Sequence, residues 1–295
     1  MIPRRLAPVF LGATVALGAA VRDAPRPATD PRGISGRLRA IVVPPDDARR
    51  ATELGIPSNL PGIYPLAAAA GPSPMTAIVL TPFSAKLNGR IGRYRIGAWP
   101  NEERAAAPAA QSRALAYAAA RNAYDVPRGF VEVDEHGATT HVSESFTLGE
   151  FLTHGQVAVW PKYLVLDLKV VDKLELLLDE LRREGHPVKR LAVMSGFRTP
   201  DYNAEGVGEG GRSSISRHMY GDAADVFPDD DHDNWTDDLN HDGKVDLEDA
   251  RVMLRAAEAV EAAHPELVGG LGLYRATSAH GPFLHVDTRG ARARW

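Results

Sequence analysis

Cysteine is absent from the chain, which excludes disulfides, thiolate metal sites and a cysteine nucleophile. Charge of one sign is also scarce. The formal net charge is -4, and no basic stripe interleaved with aromatics is present, which argues against nucleic acid as a partner. Long apolar runs are lacking except at the start, where Arg4-Arg5 precede Leu6 to Ala20. That run is shorter than a comfortable membrane-spanning helix and ends in small residues, the pattern of a signal peptide cleaved near Ala20 to Ala24. No lipobox cysteine accompanies it. The expectation is an exported, periplasmic or secreted protein without stable membrane insertion after cleavage. What is present is ordinary for a folded protein: 295 residues, 44% apolar and 24% charged, are enough for one main domain plus an extension.

Proline and glycine clusters divide the chain. Residues 25–74 contain Arg26-Pro27 to Gly33 and Asn59-Leu-Pro-Gly-Ile-Tyr-Pro65, and read as a linker or tether with one short strand between Gly36 and Val43. Residues 75–142 read as a small β-rich extension. Met75 to Phe83 is β-branched enough for a strand, and Leu87 to Trp99 offers an Asn88-Gly89 turn with alternating residues. Residues 143–295 carry the clearest periodicity. Ser143 or Ser145 would cap a helix running into Glu150. Leu168, Val171, Leu174, Leu178 and Leu181 then recur at helical steps over 165–183, with Asp172, Lys173, Glu175, Asp179 and Arg182 on the polar side. Gly185 ends that helix. Val188 to Met194 follows as a core strand, and Leu247 to Ala263 is a second long helix with Ala250, Met253, Leu254, Ala257 and Val260 on its apolar face.

Two imidazoles and a carboxylate stand out chemically. His218 and Asp225 are seven residues apart with Gly221 between them, and His285 lies far downstream before Val286-Asp287. Three such ligands leave a fourth position open, as catalytic zinc requires. The same spacing also suits a surface histidine and an N-capping aspartate.

The surrounding wording, Ser216-x-His218-x-x-Gly221-x-Ala223-x-Asp225, resembles the signature of the zinc D-alanyl-D-alanine carboxypeptidases and related peptidoglycan endopeptidases. Met194-Ser-Gly-Phe-Arg198-Thr-Pro-Asp-Tyr-Asn203 is similar to the arginine segment of that family, and Gly269 to Trp295 to its closing hairpin. The likeness spans about Ser143 to Trp295. It implies an α+β fold in which an antiparallel sheet carries His285, the turn bearing His218 and Asp225 lies beside it, and helices flank it. It further implies that His218, Asp225 and His285 bind zinc, that Arg198 meets a substrate carboxylate and that Ser216 shapes the turn. The substrate implied is peptidoglycan, cut at a D-amino-acid peptide bond of a stem or crosslink.

One departure bears on mechanism. The family carries an acidic residue three positions before the last histidine ligand, and here that position is Pro282. His280 and Asp287 are the substitutes for the proton shuttle, and Asp287 is also suited to orienting a ligand imidazole. The rival reading is a peptidoglycan-binding module that keeps the metal site without catalysis.

A second metal motif needs no family. Asp238-Leu-Asn240-His-Asp242-Gly243-Lys244-Val-Asp246-Leu-Glu-Asp249 fits a twelve-residue calcium loop, inserted around 228–250. Asp238, Asn240, Asp242, Asp246 and Asp249 stand at the oxygen positions, the Lys244 carbonyl at the seventh, and Gly243 at the sharp turn. The closing aspartate resembles the variant in dockerin modules. A single such loop implies a structural clamp rather than a paired sensor.

Overall fold

The computed structural model describes residues 30–56, 60–66, 74–102, 124–208 and 211–295. The apolar N-terminal run and its expected cleavage region lie outside the described residues. The architecture is a mixed α+β fold in which helices cover antiparallel and mixed sheets.

The stretch read from sequence as a linker is in part a folded layer. It carries β1 (Ala40–Val43), a short helix Ala48–Glu53 and β2 (Gly62–Pro65), which join β3 (Thr76–Val79) in the order β1-β3-β2. Val43, Ala51, Ile56, Ala77 and Val79 close a small core there, so its prolines and glycines punctuate elements rather than dissolve them.

Next come β4 (Thr81–Pro82), the hairpin β5 (Arg90–Ile91) and β6 (Tyr94–Arg95), then β7 (Gly129–Val133) and β8 (Lys162–Leu164). The hairpin turns on Gly92-Arg93, which places Ile91 opposite Tyr94 and buries both. β7 pairs antiparallel with β8 and Leu38 bridges to Ser143, so hydrogen-bonded pairing crosses the boundary expected at Ser143. The helical turn expected near Ser143 is a 3-10 turn, Leu148–Phe151. Its cap is Thr147, whose amide and hydroxyl both donate to Glu150, while Ser145 is engaged by Glu175.

The main sheet is five-stranded: β9 (Leu191–Ser195), β10 (Ala223–Pro228), β11 (Gly270–Tyr274), β12 (Phe283–Asp287) and β13 (Ala293–Arg294), in the order β13-β11-β12-β10-β9. All its pairings are antiparallel except β11 with β13. β10 and β12 are buried along their whole length. The helices Leu168–Arg183 and Leu247–Ala263 pack on each other, and the second also contacts β11 and β12.

The first of these helices departs from its expected polar face. Asp172, Lys173 and Glu175 are buried, because each has a partner from another part of the chain. Asp172 accepts the Ile34 and Ser35 amides at 2.7 and 3.0 Å. Glu175 accepts the Ser145 amide and hydroxyl at 2.7 and 3.0 Å. Lys173 donates to Glu261 at 2.6 Å and to the Asp287 carbonyl at 2.9 Å, which fastens the helix pair to the end of β12. Burial holds the Lys173 ammonium below its ordinary pKa, and Glu261 works against that shift.

This buried pair sets a stability prediction. Glu261→Gln removes the charge that compensates Lys173, and should destabilise the fold by about 3 to 5 kcal/mol. Lys173→Met should cost less, because Arg294 and the Gly269 amide still bind Glu261. Chemical denaturation of both variants measures the difference, and equal losses would mean that the pair is not the restraint.

Candidate metal centre

Cross-strand pairing assembles the centre. β10 and β12 run antiparallel with Asp225 directly opposite His285, so their side chains share one face of the sheet. Asp225 therefore sits on a central strand, and not in the turn where the sequence places it. Asp287, two residues beyond His285, points to that same face.

His218 arrives from outside the sheet on the 3-10 turn Arg217–Tyr220, which follows Ser216 and is closed by Gly221 at φ +72°. Only glycine fits that closure, since a Cβ there would lie 2.3 Å from the Val165 carbonyl oxygen. Arg217 and Asp222 form an ion pair across the turn. Ser216 is buried, and its carbonyl accepts the Met219 amide.

Three atoms meet at one point. His218 Nε2 lies 3.1 Å from His285 Nδ1, His285 Nδ1 lies 2.9 Å from Asp225 Oδ1, and His218 Nε2 lies 3.2 Å from that same oxygen. Donors on bonds of about 2.0 to 2.1 Å to a tetrahedral ion stand roughly 3.3 Å apart, so this triangle suits one face of such a site. The outer atoms fix its chemistry. The far nitrogen of His218, Nδ1, is 2.7 Å from the Gly196 carbonyl, which can only accept a proton. His285 Nε2 is 3.2 Å from the Asp287 carboxylate. With their protons turned outward, both imidazoles present lone pairs inward beside a carboxylate oxygen, and only a cation satisfies all three.

All three side chains are buried. Burial pulls His218 below its ordinary pKa, outweighing the opposing pull of Asp225. Burial also acts to lower His285, but its hydrogen bonds to Asp225 and Asp287 override that and raise it. The Asp225 carboxyl is pushed up by burial, yet the two imidazoles hold it well below the carboxylate range.

Asp287 is fully buried and saturated. It accepts the Gly270 amide at 2.7 Å, the Arg289 amide, Nε and Nη2, and His285 Nε2. Burial would raise its carboxyl, but these donors hold it far below the usual range. Its position is that of a group orienting His285. Arg198 donates through Nε to Ser195 Oγ at 2.8 Å and through Nη2 to Asp225 Oδ2, so part of the guanidinium braces a ligand carboxylate. Its Nη1 makes no hydrogen bond among the described residues. Arg289, Ser195 and the Gly196 carbonyl were not singled out by sequence reasoning. Arg289 had a signal, standing two residues after Asp287; the other two act through a hydroxyl and a main-chain oxygen, which leave none.

A cleft of about 680 Å³ opens on the centre, with Arg198, Tyr274, His280 and Trp295 in its wall. The Trp295 ring lies 5.2 Å from the His285 ring, and its Nε1 donates to the Tyr274 hydroxyl at 2.8 Å. His280 is half-buried; its Nδ1 is 2.8 Å from the Gly281 carbonyl and its ring meets Phe283 edge-on. Pro282 contributes its carbonyl, which accepts from Thr236 Oγ1 at 2.6 Å.

The loop 238–249 has the backbone of the expected motif, with Gly243 at φ +83°. Its oxygens turn to main-chain amides. Asp238 accepts from Asp242 and Gly243, Asn240 from Asp242, Asp242 from Lys244, and buried Asp249 from Leu239, Asn240 and Asp246. Asp246 caps the following helix through the Glu248 amide. No three of these carboxylates are gathered to ligand spacing, unlike His218, Asp225 and His285.

Comparison with protein-family models, with curated proteins and with solved structures finds no match to this chain.

Two outcomes follow for metal binding. Asp287→Asn should weaken zinc by about 10 to 100-fold while leaving the three ligands in place. Protons compete with metal for the His285 lone pair, and its hydrogen bonds to Asp225 and Asp287 raise its pKa, so zinc affinity should fall as pH drops through that raised value and level off above it. Titration calorimetry in buffers of different ionisation enthalpy counts the released proton, and zinc uptake without proton release at mildly acidic pH would refute the assignment.

Proposed function

We propose that the chain is an exported zinc peptidase that hydrolyses D-amino-acid peptide bonds in peptidoglycan stems or crosslinks. The observation that carries the proposal is the inward-facing triangle of His218 Nε2, His285 Nδ1 and Asp225 Oδ1 beside a cleft. These are the residues that the resemblance of the Ser216-to-Asp225 and His285 segments to the peptidoglycan peptidases implies as ligands. Two nitrogens and one oxygen are a donor set suited to zinc, which when bound supplies Lewis-acid chemistry for hydrolysis. Among the described residues no helix is long and apolar enough to cross a membrane.

The protein's own groups divide the remaining work. His218, Asp225 and His285 hold the ion, and Asp287 fixes the His285 ring. Arg198 keeps Asp225 in place and offers Nη1 to a stem-peptide carboxylate. Asp287 is closed off by its five donors, which leaves His280 as the proton carrier among the two substitutes for the acid missing at Pro282. With Nδ1 turned to the Gly281 carbonyl, His280 has Nε2 free to take a proton and return it to the leaving amine. Tyr274 and Trp295 give the cleft an aromatic wall against which a peptide can lie. A calcium ion in the 238–249 loop would share its carboxylates with these main-chain amides, and would stiffen the start of the 247–263 helix.

Release of peptides from purified peptidoglycan tests the reading. Zinc chelation should abolish it and zinc should restore it. His280→Ala should lower kcat by roughly 100-fold with zinc affinity unchanged. Near-normal turnover by that variant would remove His280 from the reaction, and stoichiometric zinc with no cleavage of any peptide substrate would identify a wall-binding module instead.

A further inference from the structure

The segment between β10 and the 238–249 loop repeats that loop's design. Asp229-Asp-Asp231-His-Asp233-Asn234-Trp235-Thr-Asp237 places carboxylates at positions 1, 3, 5 and 9 of a calcium-type loop, with the Trp235 carbonyl at position 7. The backbone follows the same course in both. His232 and Asn234 have φ of +64° and +62°, and His241 and Gly243, at the matching positions 4 and 6, have +60° and +83°. Asp233 N donates to Asp231 Oδ1 and Trp235 N to Asp233 Oδ1, as Asp242 N does to Asn240 Oδ1 and Lys244 N to Asp242 Oδ1.

The first loop goes further than the second. One carboxylate oxygen from each of Asp229, Asp231 and Asp233 lies within 4.8 Å of the others. Asp229 is fully buried; Arg190 holds its Oδ2, while Oδ1 is shut off from solvent with no hydrogen-bond partner. An unpaired buried carboxylate oxygen beside two further carboxylates is unfavourable unless a cation sits among them. Arg190 offsets one negative charge, leaving Asp231 and Asp233 to balance a divalent ion. Asp237 closes the same loop, its carboxylate accepting the Asp230 amide at 2.7 Å.

We propose that Asp229, Asp231 and Asp233 form a calcium site separate from the 238–249 loop, with the Trp235 carbonyl and Asp237 completing its oxygen shell. Calcium is the ion of choice because the donors are all oxygens carried on one flexible loop, whereas magnesium demands near-ideal octahedral geometry and keeps its water. The loop is tied both to the strand of the zinc-type centre and to the cleft wall. Asp229 directly follows β10, which carries Asp225, and Thr236 donates to the Pro282 carbonyl, two residues after His280. Gly281 is packed so closely that a Cβ there would lie 2.5 Å from Thr236 Oγ1. The inference does not depend on the reaction proposed above.

Titration of the chelator-treated full chain with calcium alone tests it. The double variant Asp231→Asn/Asp233→Asn, both at exposed positions, should bind one calcium ion fewer per chain than the wild type, whereas Asp242→Asn in the neighbouring loop should leave this ion in place. Terbium used in place of calcium should give tryptophan-sensitised emission, and Trp235→Phe should remove most of it without changing the calcium count. An unchanged calcium count in the double variant, or magnesium binding there as tightly as calcium, would overturn the proposal. Zinc content and peptide release are measured separately, so failure here leaves the zinc reading untouched and failure of that reading leaves this one standing.

Discussion

Three lone-pair atoms held about 3 Å apart in a buried pocket are the constraint around which the molecule is arranged. Such a cluster repels itself unless a proton or a metal ion sits within it, so the fold must supply force from outside to keep it closed. That force comes in rings. The Gly196 carbonyl and Asp287 turn the imidazoles, Arg198 and Ser195 brace Asp225, and Arg289 with the Gly270 amide fix Asp287. Lys173 then binds the Asp287 carbonyl and ties this array to the helix pair. The helices thus serve the site electrostatically as well as by packing.

Much of this was legible in the sequence where a residue type and a spacing carry chemistry together. The helix Leu247–Ala263 matches its expected limits, and the leucine repeat located the other long helix to within three residues at its start. His218, Asp225 and His285 were named from their spacing and wording, and the structure gathers their donor atoms. Other features were hidden for identifiable reasons. Asp172, Lys173 and Glu175 look like a solvated helix face, because periodicity reports polarity and not the distant partners that permit burial. The folded layer at 40–65 was masked by prolines and glycines that mark its turns. The Asp229 loop escaped notice because Asn234 stands where a calcium loop usually has glycine, although asparagine also adopts positive φ.

The aromatic residues have two distinct uses. Phe83, Trp99 and Phe130 form an interior cluster with Lys86 near the rings of the first two. Tyr274, Phe283 and Trp295 instead border the cleft, with Tyr274 and Phe283 stacked 4.6 Å apart. Packing rigidity in the first set and a rigid apolar wall in the second both follow from large side chains with few rotatable bonds.

The register between β9 and β10 contains one irregularity: Asp225 faces Ser195, while the next residue, Val226, faces Val193. Met194 is therefore an extra residue on one strand, and its presence decides which residue faces Asp225. Were the ladder regular with Met194 in line, Met194 would face Asp225 and Ser195 would turn to the opposite face. The bulge is consequently what sets the Ser195 hydroxyl, and the Arg198 segment that follows it, beside Asp225. On the other side, the loops from Asp229 to Asp246 separate β10 from the next helix and are anchored through buried Asp229, Thr236 and Leu239. One flank of the metal centre is thus shaped by long loops, and the other by a bulge of a single residue.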